Sequence, residues 1–104
     1  MRKMTISELK HTDNRLLPDY YDNKSITGGG VYVFKPGETA HPDRHVHEVD
    51  EVFIFIQGKG VLPIDGIEYP IETGDVFIVE AGEDHNTRSS EEYPLVAVWY
   101  LMEH

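Results

Sequence analysis

The chain has 104 residues, no cysteine, and nineteen acidic against nine basic side chains, a net charge of −10. That length supports one domain with one core of modest size, and the missing thiols exclude disulfides, thiolate metal sites and cysteine nucleophiles. A surface so negative repels phosphate backbones and anionic lipid, which makes nucleic acid and membranes poor partners.

Met1–Ile6 carries charge with no apolar run behind it, unlike a secretory leader. The apolar runs fall well short of the roughly 20 residues a membrane-spanning helix needs. A thiol-free chain also fits a reducing compartment, and a cytoplasmic location is expected. Residues 1–28 are polar and mixed, with Pro18 and Tyr20-Tyr21 as packing surface, and read as an N-terminal arm holding at most one short strand or turn.

From Gly29 to the end, residues 29–104 read as one β domain. Short β-branched and aromatic runs alternate with turn residues every eight to twelve positions, the pattern of an all-β sandwich or barrel. The runs are Val31–Phe34, His45–His47, Val52–Ile56, Val61–Ile64, Ile67–Ile71, Val76–Val79, Asn86–Ser89 and Leu95–Leu101. Asp65-Gly66 between Ile64 and Ile67 predicts a two-residue hairpin turn with positive φ at both positions. No stretch keeps apolar residues at helical spacing.

Val52–Ile56 and Leu95–Leu101 are apolar at odd and even positions alike, so both faces of these strands need cover. With no helices to supply it, a second copy of the chain is the simplest cover, and a homodimer is expected. The alternative is that the N-terminal arm folds across that face.

Six histidines occur, at 11, 41, 45, 47, 85 and 104. His45 and His47, at i and i+2 on an extended segment, project from one face with Cα atoms about 6.5 Å apart, close enough to lean toward one ion. Glu51 shares that parity, but lies about 13 Å further along a straight strand. Sharing a metal therefore predicts a reversal at Glu48–Asp50, with Glu51 returning on the neighbouring strand. His85 follows the loop Gly82-Glu83-Asp84.

His45-x-His47-x3-Glu51-x6-Gly58 resembles the first signature of the cupin superfamily, and Gly74-x7-Gly82-x2-His85 resembles the second. Fifteen residues separate Gly58 from Gly74, the short spacing of small single-domain cupins. The motifs span residues 37–89. Gly37 stands two residues further from the first histidine than is usual. Glu80 replaces the usual proline, and Ser89 the usual trailing asparagine.

The resemblance implies an all-β jelly roll, a double-stranded β-helix barrel, holding one divalent ion through His45, His47, Glu51 and His85. The framing glycines would serve tight turns or close backbone approaches. Three imidazoles and one carboxylate suit Mn, Fe, Ni, Co, Cu or Zn without selecting among them. They leave two positions of an octahedron open to water or a small-molecule ligand.

Residues sharing the ligands' face, Phe53, Phe55, Thr87 and Ser89, are candidate cavity walls, as are Tyr32, Trp99 and Tyr100. His41 is a candidate neighbouring group, and Arg88 should face outward. Three functional readings stand, one of them a purely structural metal site in an interaction protein. Another is a metal-dependent dioxygenase, isomerase or lyase for a small polar organic molecule. The third is a non-catalytic module that captures a small carboxylate or sugar with the metal's help.

Overall fold

Two antiparallel sheets face each other in the computed structural model, which describes residues 1–13, 20–21, 24–40 and 46–103. The strands are β1 (Arg2–Thr5), β2 (Ser25–Phe34), β3 (Asp50–Gln57), β4 (Gly60–Ile64), β5 (Ile67–Ile71), β6 (Asp75–Val79), β7 (Arg88–Ser89) and β8 (Leu95–Glu103). The larger sheet has the order β1-β6-β3-β8-β2 and the smaller β5-β4-β7. This is the jelly-roll, double-stranded β-helix arrangement expected from the strand pattern. Among the described residues the only helical turn is a 3-10 turn at Ile6–Glu8, and no helix is long and apolar enough to cross a membrane.

The elements follow from local chemistry. Asp65 and Gly66 have φ values of 48° and 83° and join β4 to β5 with Ile64 opposite Ile67, as the two-residue turn demands. Gly58, Gly74 and Gly82 all have positive φ. Strand β2 begins at Ser25, ahead of Gly29, and β1 gives residues 2–5 a place beside β6. Neither start is marked in the sequence, because Gly28-Gly29-Gly30 lacks strand-forming side chains and four residues are too few to show a period.

Period-two alternation sorts the side chains of the large sheet. One face, with the small sheet above it, packs Phe34, Phe53, Phe55, Leu62, Ile64, Ile71, Phe77, Val79, Leu95 and Ala97 into the main core. Fully burying side chains such as Phe55, Leu62 and Phe77 contributes roughly 1.5–3 kcal/mol each.

The opposite face packs Val52, Val76, Ile78 and Met102 beneath Tyr20, with Met4, Tyr21, Ile54 and Tyr100 around them. Tyr20 Oη donates to Asp50 at 2.9 Å, Lys24 Nζ donates to the same carboxylate at 3.0 Å, and the Tyr21 and Tyr100 hydroxyls meet at 2.7 Å. The N-terminal segment thus covers the β6 side of this face, while Val31, Val33 and Ile56 on its β2 side stay exposed. His45, His41, His104 and Pro18 lie outside the described residues.

Candidate metal centre

Three elements deliver the site. His47 directly precedes a bend at Glu48–Val49, Glu51 is the second residue of β3, and His85 follows the loop 81–84 and bridges to Ile64 of β4. His47 Nε2 and His85 Nε2 each lie 2.9 Å from the same oxygen, Glu51 Oε1. One donor atom from each of the three residues falls within 4.8 Å of the others, close enough to share one ion. Glu51 and His85 are buried, and the His47 side chain is about a quarter exposed.

The reversal expected at Glu48–Asp50 does not occur. Glu51 pairs with Val79 of β6, and the His47 carbonyl accepts from the Gly82 amide at 3.0 Å, so both residues run beside the same segment. A bend shortens the path that a straight strand would stretch, and the long Glu51 and His47 side chains close the remaining gap.

The donor set fits a cation. Both ring nitrogens of His85 face oxygen acceptors, Nδ1 the Glu83 carbonyl at 3.2 Å and Nε2 Glu51 Oε1 at 2.9 Å, so an ion taken up at Nε2 would leave the ring proton on Nδ1. Burial pushes the His85 pKa down, yet the Glu51 hydrogen bond, the Glu83 carbonyl and the Glu51 and Asp84 charges outweigh it and hold it above the usual 6.5. A buried imidazole that holds its proton more tightly marks a point where positive charge is favoured. A divalent ion would supply that charge in place of the proton.

A cavity of about 290 Å³ opens over these groups. Its walls include Phe53 and Thr87, anticipated from strand parity, and the candidate wall residues Tyr32 and Trp99. Phe55 is fully buried in the core instead. Ser89 turns away to donate to the Lys35 carbonyl, and Tyr100 packs on the opposite face. Arg88 is exposed beside Glu68, as its parity requires.

Sequence reasoning missed Phe34, Ala40 and Ala97 as walls. Phe34 lies two residues from Tyr32 and Ala97 two from Trp99, so parity could have found both. It also missed Glu38, whose carboxylate accepts a very short hydrogen bond from Tyr32 Oη and a second from the Lys35 amide at 3.0 Å. The bond from Tyr32 and the Lys35 amide lower the Glu38 pKa, and the same contact raises that of Tyr32.

The cupin domain family matches residues 30–101, and the chain belongs to that family. It is 29% identical over 63 residues to dimethylsulfoniopropionate lyase DddW of Ruegeria pomeroyi, covering 61% of this chain and 40% of the relative's length. The chain therefore spans well under half of that curated relative.

Among solved structures, a predicted oxalate decarboxylase from Thermotoga maritima superposes with a TM-score of 0.69 at 24% identity, covering 76% of this chain and 68% of that one. An uncharacterized conserved protein with a double-stranded β-helix domain from Klebsiella pneumoniae superposes with a TM-score of 0.63 at 22% identity, covering 75% and 73%. At these identities the two structures speak for the fold alone.

Proposed function

We propose that His45, His47, Glu51 and His85 hold one divalent transition-metal ion, and that the protein is a metal-dependent enzyme for a small polar organic molecule. The observation that carries this is the convergence of two imidazole Nε2 atoms on one buried carboxylate oxygen at the base of a cavity. A bound metal would act as a Lewis acid on oxygen atoms of the ligand.

The chain's own residues do the rest. The Glu83 carbonyl orients His85. Phe53 and Phe34 keep one side of the cavity dry, and Thr87 offers a hydroxyl. Beyond the three donors, Tyr32 is the only titratable wall residue among those described, so proton handling falls to it and to Glu38 behind it.

Of the three reaction classes, the lyase is favoured by likeness to a curated lyase over 61% of the chain. The test is to load purified protein in turn with Mn, Fe, Ni, Co, Cu and Zn, count bound metal, and screen small acids and diols for elimination, isomerisation and oxygen uptake. One ion per chain with turnover supports the enzyme. One ion with ligand binding and no turnover under any metal leaves the non-catalytic capture module, and no bound metal refutes both.

We infer further that two copies associate through β2. This ten-residue edge strand, Ser25–Phe34, carries no charged residue and no proline to discourage pairing. It carries the exposed Val31 and Val33, part of the apolar face that the N-terminal segment leaves open. In a chain of net charge −10, an uncharged strip is also where two copies meet with least repulsion. Sedimentation at micromolar concentration should give twice the chain mass of 11.9 kDa, and a monomer would overturn the reading.

A further inference from the structure

The two-residue turn between β4 and β5 reaches beyond its own hairpin, to the loop that carries His85. The Asp65 amide donates to the Asp84 carbonyl at 2.9 Å, and Asp65 Oδ1 accepts from the Asp84 amide at 2.8 Å. One residue of the turn thus holds two successive peptide groups, the one before Asp84 by its N–H and the one after it by its C=O. The pairing continues into the bridge between Ile64 and His85.

The peptide before Asp84 has a second contact. Its N–H belongs to Asp84 and its C=O to Glu83, and that carbonyl lies 3.2 Å from His85 Nδ1. The peptide is trans and planar, so its N–H and C=O point in opposite directions. Turning the N–H toward Asp65 therefore turns the C=O toward the His85 ring. Carboxylate, peptide and imidazole form one line of hydrogen bonds, which ends with His85 Nε2 at 2.9 Å from Glu51 Oε1. The negative charge of Asp65 polarises the peptide and strengthens its carbonyl as an acceptor.

The turn itself does not call for a carboxylate. Asn and Gly accept positive φ at least as readily as Asp, and Asp65 has φ 48°. Asp65 is exposed and is not part of the cavity wall. Asp50 also holds the loop, through the Ala81 amide, but it shares its carboxylate with Tyr20 and Lys24 of the N-terminal cover. Loss of Asp65 Oδ1 leaves that cover in place.

We propose that Asp65 is a positioning residue for the metal centre: acting through the Glu83–Asp84 peptide, its carboxylate fixes the His85 ring so that Nε2 meets an ion shared with His47 and Glu51. With the ion on Nε2, the ring proton sits on Nδ1 and donates to the Glu83 carbonyl. The ion rests on the metal reading above, whereas the alignment of the ring rests on the hydrogen bonds alone, so the two can fail separately.

The experiment measures zinc affinity of the full-length chain, by competition with a chelating dye, in wild type and three variants. Asp65→Gly keeps the left-handed turn and the amide bond to Asp84 and removes only Oδ1. It should weaken zinc binding about tenfold, the low end of the roughly 10–100-fold for a group that orients a ligand, because water can occupy the Asp84 amide without fixing its direction. Asp65→Asn keeps an oxygen acceptor at the same place and should stay within about threefold of wild type. Gly66→Ala strains the same turn, at φ +83° with nothing within 4 Å of the new Cβ, and leaves the bonds to Asp84 alone. It should lower the thermal midpoint and likewise stay within about threefold in zinc affinity.

Wild-type affinity in Asp65→Gly would overturn the proposal. So would an equal loss in Gly66→Ala, which would trace the effect to a loosened turn, or in Asp65→Asn, which would trace it to charge alone. If the wild-type chain takes up no zinc, the metal reading has failed instead, and the metal-free chain decides on the ring. The His85 and Phe53 rings meet edge to face with centroids 5.9 Å apart, a contact that proton cross-relaxation between them reports by nuclear magnetic resonance. Loss of that signal in Asp65→Gly with retention in Asp65→Asn and Gly66→Ala supports the positioning role, and its retention in Asp65→Gly refutes it.

Discussion

His85 and Glu51 are 34 residues apart in sequence and meet at 2.9 Å between the two sheets of the barrel, Nε2 to Oε1. The contact is long-range, buried and shared: the same carboxylate oxygen also faces His47 Nε2 at 2.9 Å. Removing the charge while keeping the shape isolates its role. Glu51→Gln should lower metal affinity by more than the roughly 10–100-fold that loss of an outer partner costs, because a direct donor is lost. Metal content after dialysis, by elemental analysis, measures this. Full retention by Glu51→Gln would rule the carboxylate out as a ligand.

Metal removal should be visible as lost stability. An ion that binds the folded chain alone, at a hundred times its dissociation constant, stabilises by about 2.7 kcal/mol. For a domain near this size each kcal/mol moves the midpoint by roughly 4–8 °C. Chelator treatment of the loaded protein should therefore lower Tm by about 10–20 °C, and readdition of the ion should restore it. A midpoint indifferent to chelator would mean that nothing binds at the cluster.

Much of this is legible in the sequence. The Asp65-Gly66 turn, the strands from β3 to β6, and the three donors His47, Glu51 and His85 are local signals: residue type at fixed offset, or a period of two. What escaped notice is of another kind. The start of β2 hides behind three glycines that become strand only because β8 pairs with them. A straight path from His47 to Glu51 would demand a reversal at Glu48–Asp50, whereas Glu48–Val49 bend instead. Tyr20 covers Val52 and Ile78 through contacts between residues far apart in the chain, and no window of sequence displays those.

That cover is pinned by Asp50, which accepts from Tyr20 Oη, Lys24 Nζ and the Ala81 amide. Burial raises its pKa, but these three partners outweigh burial and hold it below the usual 3.8. A depressed carboxylate stabilises the fold fully above its unfolded pKa and loses that contribution as pH falls through the folded value. Asp50→Asn should cost about 1.5–3 kcal/mol at pH 7, the range for a hydrogen bond to a charged group. The gap in Tm between wild type and variant should narrow as pH drops below about 4. A gap that persisted at pH 2 would locate the effect in packing rather than in charge.

Two glycines with the same backbone angle should respond very differently to alanine. Gly58 and Gly82 both have φ +87°, in the left-handed region where a side chain is strained by roughly 1–2 kcal/mol. At Gly82 a new Cβ meets nothing within 4 Å, so Gly82→Ala should cost only that strain. At Gly58 the Cβ would fall 2.2 Å from the Pro94 carbonyl oxygen and 3.0 Å from Leu95 Cα, a collision with backbone at the start of β8. Strand β8 pairs with both β2 and β3 and carries Trp99 and Ala97 into the cavity, so it cannot retreat without disturbing them. Gly58→Ala should therefore destabilise by several kcal/mol, beyond about 3, where Gly82→Ala stays under about 2. Denaturant midpoints of the two variants, compared at unchanged slope, measure the difference. Equal costs would mean that the close approach of residue 58 to β8 is not part of what holds the barrel shut.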